Sequence, residues 1–126
     1  MRTSGIVIEH YENPRNQGAM PGADVVAEAT NPQCGDTMRL YLKVKGSVIT
    51  KVRWETRGCG TSIAASSMAS EMIEGMKADE ASRVTSARIA QALGGLPPAK
   101  AHCAVLAADA IHEAVRALEA KKAASS

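Results

Sequence analysis

The chain has 126 residues, 45% of them hydrophobic and 22% charged, a length that fits one domain and excludes a multidomain reading. At this size roughly two-thirds of the unfolded surface is buried on folding, so a core forms without a disulfide framework, and with no Phe, one Trp and two Tyr that core is aliphatic and offers no aromatic platform for bases. Fifteen Lys plus Arg against thirteen Asp plus Glu leave a formal net charge of +2, scattered along the chain and too small for a phosphate-driven nucleic-acid binder.

In chain order, Ile6 to Tyr11 reads as a short amphipathic helix that stops before Asn13-Pro14, because proline disfavours helix at the residue preceding it. A loop follows from Gln17 to Ala23. Val25 to Thr30 reads as an edge strand ended by Asn31-Pro32. Met38, Leu40, Leu42 and Val44 then alternate with polar residues, as do Val48, Thr50, Val52 and Trp54, across a Gly46-Ser47 link that suits a type II′ turn. These two runs predict a hairpin with one apolar face.

After Gly58-Cys59-Gly60 the period becomes helical. Ile63, Met68, Met72, Ile73 and Met76 recur near helical spacing, with Thr61 or Ser62 as cap and an end at Gly75. The methionines read as core filler. Asp79 to Leu93 holds one or two short helices stopped by Gly94-Gly95. Beyond Pro97-Pro98 a last helix runs from about Ala101 to Lys121, burying Leu106, Ala107, Ala110, Ile111, Ala114 and Leu118. Strands in a run followed by helices in a run predict an α+β fold, a three-stranded antiparallel sheet with helices on one face. One domain over 1–126 is expected, with short flexible ends at about 1–4 and 122–126.

No apolar stretch approaches the roughly 20 residues of a membrane span, and no export signal is visible. The expected location is cytoplasmic, without membrane partners. Three cysteines without an export signal are expected to be free thiols or thiolates. A lone cysteine is usually a small buried hydrophobe, but each of these sits at an element boundary. Cys34 lies in the turn before the hairpin, Cys59 at the mouth of a helix and Cys103 in the first turn of the last one. A thiol at a helix N-terminus faces unpaired N–H groups, which favour thiolate. Asp36 and His102 stand beside two of the cysteines, and Gly35, Gly58 and Gly60 permit close approach of backbone to a bulky group. Thiolates with one carboxylate or imidazole select iron–sulfur clusters or zinc while weakening the grip on a soft cluster. His10 and His112 have no such company and read as surface or helix-face residues. Lys100, two residues from His102, reads equally as a modifier of the Cys103 thiol or a solvated lysine.

The segments Cys34-Gly35-Asp36, Gly58-Cys59-Gly60-Thr61-Ser62-Ile63-Ala64-Ala65-Ser66-Ser67 and Leu96-Pro97-Pro98-Ala99-Lys100-Ala101-His102-Cys103 together resemble the IscU/NifU-type iron–sulfur cluster assembly scaffolds. His10-Tyr11-Glu12-Asn13-Pro14-Arg15-Asn16 resembles their N-terminal segment, and the likeness runs from about Ile6 to Leu118. The resemblance implies the same α+β fold and a non-enzymatic scaffold. It implies a transient 2Fe–2S cluster on Cys34, Cys59 and Cys103, with Asp36 and His102 as exchangeable fourth ligands and zinc as another occupant. It further implies sulfur accepted from a cysteine desulfurase, with Cys103 as persulfide acceptor. A ferredoxin is the implied electron donor, a frataxin-like protein the modulator, and apo iron–sulfur proteins the recipients.

Leu96-Pro97-Pro98-Ala99-Lys100 resembles the loop gripped by an Hsp70-type chaperone with its J-protein co-chaperone, a role that a stiff, extended segment suits. Ala99 stands where the family usually has Val. Asn31-Pro32 ahead of Cys34 is closer to Suf-type scaffolds, whose members carry an insertion between the second and third cysteines and lack the histidine. Here His102 is present and no insertion is evident, which favours the Isc/Nif type. A zinc-binding structural protein, a Suf-type sulfur acceptor, a zinc hydrolase and a Cys–His thiol enzyme are the rivals.

Overall fold

In a computed structural model the described residues are 4–32 and 35–125, with side chains described to Ala123. Cys34 therefore lies outside the described residues. A short helix α1 (Gly5–Glu12) precedes the strands β1 (Val25–Thr30), β2 (Thr37–Lys45) and β3 (Val48–Arg57). The helices α2 (Gly60–Ile73), α3 (Ala78–Ala81) and α4 (Ser86–Ala92) follow, then one 3₁₀ turn over Pro98–Lys100 and α5 (Ala101–Ser125). The sheet is an antiparallel meander ordered β1-β2-β3. Helix α5 packs on β1 and β2, α2 packs on β3, and α1 and α4 rest on α2 and α5. This is the α+β arrangement the sequence predicts.

Alternation sets the buried face of β2, where Met38, Leu40 and Leu42 are fully covered. On β3 it fails locally. Lys43 pairs with Lys51 but Val44 pairs with Ile49, so Thr50 is an extra residue that bulges out of the ladder. The bulge reverses the side-chain direction, so Ile49 is buried and Val48 only partly so, the opposite of the predicted face. Gly46 takes φ +63°, which suits a residue without Cβ in this tight turn.

The buried face of α2 also departs from expectation. It is made of small residues, Ser62, Ala64, Ala65, Ser66, Ser67, Ala69 and Ser70 with Ile73, while Ile63, Met68 and Met72, and Met76 beyond the helix end, are half-buried. Small side chains suit a helix packed against β3, α1 and α5 at once, and the serines find partners: Ser66 with Thr56 at 2.7 Å, and Ser70 donating to the Ser67 carbonyl at 2.7 Å. His10 is buried, not superficial, with Nδ1 2.8 Å from the Ser67 hydroxyl and Nε2 3.5 Å from Glu71. The same hydroxyl accepts the Arg15 N–H at 2.9 Å, and Trp54 Nε1 donates to the Arg15 carbonyl at 2.7 Å. These bonds pin the Asn13–Asn16 segment to the core.

Ser4 caps α1 by accepting from the Val7 N–H and donates to the Leu93 carbonyl, and α5 continues past Lys121 to Ser125. His112 lies on a helix face as expected, with Nε2 2.7 Å from the Val84 carbonyl.

Candidate metal centre

Three separate stretches of chain meet at one end of the sheet. Cys59 occupies the N-cap position of α2, with extended backbone. The predicted caps are therefore displaced: Ser62 is turned inward and its hydroxyl donates to Asp36 Oδ2 at 2.6 Å. Cys103, the third residue of α5, brings its Sγ to 3.7 Å from Cys59 Sγ. One ligand atom from each of Asp36, Cys59 and Cys103 lies within 4.8 Å of the others. Two thiolates on a tetrahedral zinc, each at about 2.3 Å, are separated by about 3.8 Å. The observed spacing matches that figure, so the donor set fits a soft metal or one iron of a cluster.

Two glycines make the approach possible. A Cβ on Gly58 would fall 2.7 Å from the Asp36 carboxyl carbon, and a Cβ on Gly60 would fall 3.1 Å from the Tyr11 ring. The backbone thus passes flush against the carboxylate on one side and under the tyrosine on the other. Gly35, at φ +75°, turns the chain into Asp36 while its N–H donates to the Asn31 carbonyl at 2.8 Å.

The two thiols differ. Burial opposes ionisation of Cys59, but hydrogen bonds from the Ser62 amide and hydroxyl, the Cys103 thiol and the Thr61 amide outweigh it and lower its pKa. Cys103 is only 1% exposed. Burial, opposed by a Ser62 hydrogen bond and reinforced by Cys59 and the Asp36 charge, pushes its thiol up to about 11. Cys59 is thus the more readily ionised and the more exposed of the two in this conformation.

His102 is not in the cluster. Its side chain is half-buried and lines a neighbouring cleft of about 300 Å³ with Thr30, Asn31, Pro32, Val105 and Asp109. The Leu96–Lys100 segment borders a second cleft of about 300 Å³ with Ser4, Val7 and Thr61. Pro97 is extended, but Pro98–Lys100 winds into a 3₁₀ turn closed by Lys100 N–H to the Pro97 carbonyl at 2.8 Å. The segment is therefore not extended throughout, because proline is preorganised for the first helical position. Sequence reasoning missed the lateral role of Ser62: a serine in the first turn of a helix reads as a cap.

Fold and site together define a small α+β domain that gathers thiols and a carboxylate at one end of a three-stranded sheet. The family described as NifU-like N terminal domain matches residues 2–125, and the chain belongs to it. It is 44% identical over 126 residues to the iron–sulfur cluster assembly scaffold protein IscU of Azotobacter vinelandii, covering 97% of this chain and 98% of that one. It is 48% identical over 109 residues to the scaffold protein IscU 1 of Archaeoglobus fulgidus, covering 86% and 71%. Among solved structures, the N-terminal part of a NifU-like protein from Brucella abortus superposes with a TM-score of 0.76 at 25% identity, covering 94% of each chain.

Proposed function

We propose that this protein is an iron–sulfur cluster assembly scaffold, a platform and sulfur acceptor in the cytoplasm, with one domain over 1–126 holding the whole site. The observation that carries this is the convergence of Asp36, Cys59 and Cys103 within 4.8 Å of one another in a chain of the NifU-like N-terminal family. Cys34 completes the thiol set in the proposal, and Asp36 and His102 compete for the fourth position. The cargo is iron and sulfide, assembled as a transient 2Fe–2S cluster, with zinc able to take the same ligands.

Sulfur arrives from a cysteine desulfurase as a persulfide. An acceptor thiolate attacks its outer sulfur, the donor S–S bond breaks, and the donor thiolate leaves. Two electrons from a reduced ferredoxin then cleave the new persulfide into sulfide and thiolate. Cys103 is the acceptor proposed from its position, and since it is buried, a docked donor must open a path to it. A frataxin-like protein modulates the donor, and an Hsp70-type chaperone with its J-protein engages Leu96–Lys100. Apo iron–sulfur proteins receive the cluster by ligand exchange. A purely structural zinc is disfavoured, because sheet and helices share one continuous core that is overwhelmingly aliphatic, with Cys103 a single member and Cys59 packed at its edge.

Anaerobic incubation of the reduced chain with Fe(II), cysteine, a desulfurase and reductant tests the reading. Visible cluster absorbance should appear and then move to an apo-ferredoxin. Cys34→Ala, Cys59→Ala and Cys103→Ala should each abolish it, and retention of full absorbance in any of the three refutes the ligand set.

A further inference from the structure

We propose that Ser62 is a positioning residue for the carboxylate ligand of this centre, holding Asp36 beside the thiols through its one hydroxyl proton. The inference deepens the metal-centre reading and rests on it. The Ser62 side chain is 1% exposed and donates to Asp36 Oδ2 at 2.6 Å, while Asp36 is itself 8% exposed. A buried carboxylate without a donor bears a full desolvation cost, and among the described residues this hydroxyl is the side-chain donor it finds. With Oδ2 engaged, Oδ1 is left for a metal.

The arrangement is built from more than one side. Because Cys59 takes the cap position, the Ser62 hydroxyl is released from capping and turns laterally. Gly58 has no Cβ to push the carboxylate away. The same hydroxyl lies 3.7 Å from Cys59 Sγ. Hydrogen-bond partners that orient metal ligands in this way are typically worth about 10–100-fold in metal affinity.

Anaerobic Co(II) titration of the reduced full chain reads this directly, through thiolate-to-cobalt charge transfer and the visible ligand-field bands. Ser62→Ala should weaken Co(II) binding about tenfold and shift the ligand-field bands, because the carboxylate is no longer held. In an Asp36→Ala background the same change should alter affinity by less than about twofold, since its effect runs through Asp36. Gly58→Ala, which displaces the carboxylate without touching Ser62, should reproduce the loss and stands in if Ser62→Ala does not fold. Unchanged affinity and bands in Ser62→Ala, or in Gly58→Ala when it is the variant used, overturn the inference. So does a tenfold loss that persists without Asp36, which marks a merely structural role. Absence of cobalt binding by the unsubstituted chain would instead overturn the metal-centre reading, and this inference with it.

Discussion

Cys59 and Cys103 lie 3.7 Å apart, yet their thiols are displaced in opposite directions. Cys59 is half-buried and touched by amides and a hydroxyl, whereas Cys103 is fully buried and feels both a neighbouring sulfur and the Asp36 charge. The same scale governs His10. Burial and the Arg15 charge lower its pKa from the ordinary 6.5, against the opposing pull of Glu71 and Glu9. Between the unfolded value and the lower folded one, the unfolded chain binds a proton that the folded chain refuses. The neutral ring's contribution is therefore fully present above about pH 6.5 and is lost as the pH falls from there through the folded value. Urea midpoints measured from about pH 7 to about pH 5.5 should fall more steeply for the natural chain than for His10→Gln. Parallel slopes would remove His10 as the cause.

At the scale of elements, α2 is a helix whose buried residues include four serines and three alanines, and it packs against β3, α1 and α5 at once. Such a seam has no room for a larger side chain. Ala65, fully buried, is the sharpest probe: Ala65→Leu should destabilise by about 1–3 kcal/mol through overpacking, read as a lower urea midpoint. A stabilising outcome would reveal an unfilled space beside α2. The bulge at Thr50 is the other device of this kind, for it rotates the end of β3 so that Ile49, not Val48, enters the core. Strand periodicity alone points the wrong residue inward there, since period-two patterning has no way to register one extra residue.

For the whole molecule, the candidate metal centre is distributed: its described members come from the turn before β2, the cap of α2 and the first turn of α5. Those segments are brought together only by the packing of α2 and α5 on the sheet. A ligand that bridges them should therefore stabilise the folded chain as a unit. Zinc at one hundred times its dissociation constant should add about 2.7 kcal/mol, measured as a shift in chemical denaturation, and Cys59→Ala should reduce that shift. No shift despite measured binding would mean that zinc binds the unfolded chain as well. Among the described residues no helix is long and apolar enough to cross a membrane.

Much of this architecture was legible before any coordinates. The edges of β1, the hairpin and the six buried positions on α5 follow from patterns that repeat within one element, where a residue's direction is set by its near neighbours. The cysteine-centred motifs likewise carried the family, because they are local strings. What tertiary structure alone decided is which of those motif residues meet. It puts Asp36 against two thiols, leaves His102 on the adjoining cleft, buries His10 and turns Ser62 from a cap into a bridge. Such meetings depend on distances between segments remote in the chain, which are fixed by how the helices seat on the sheet and not by any local repeat.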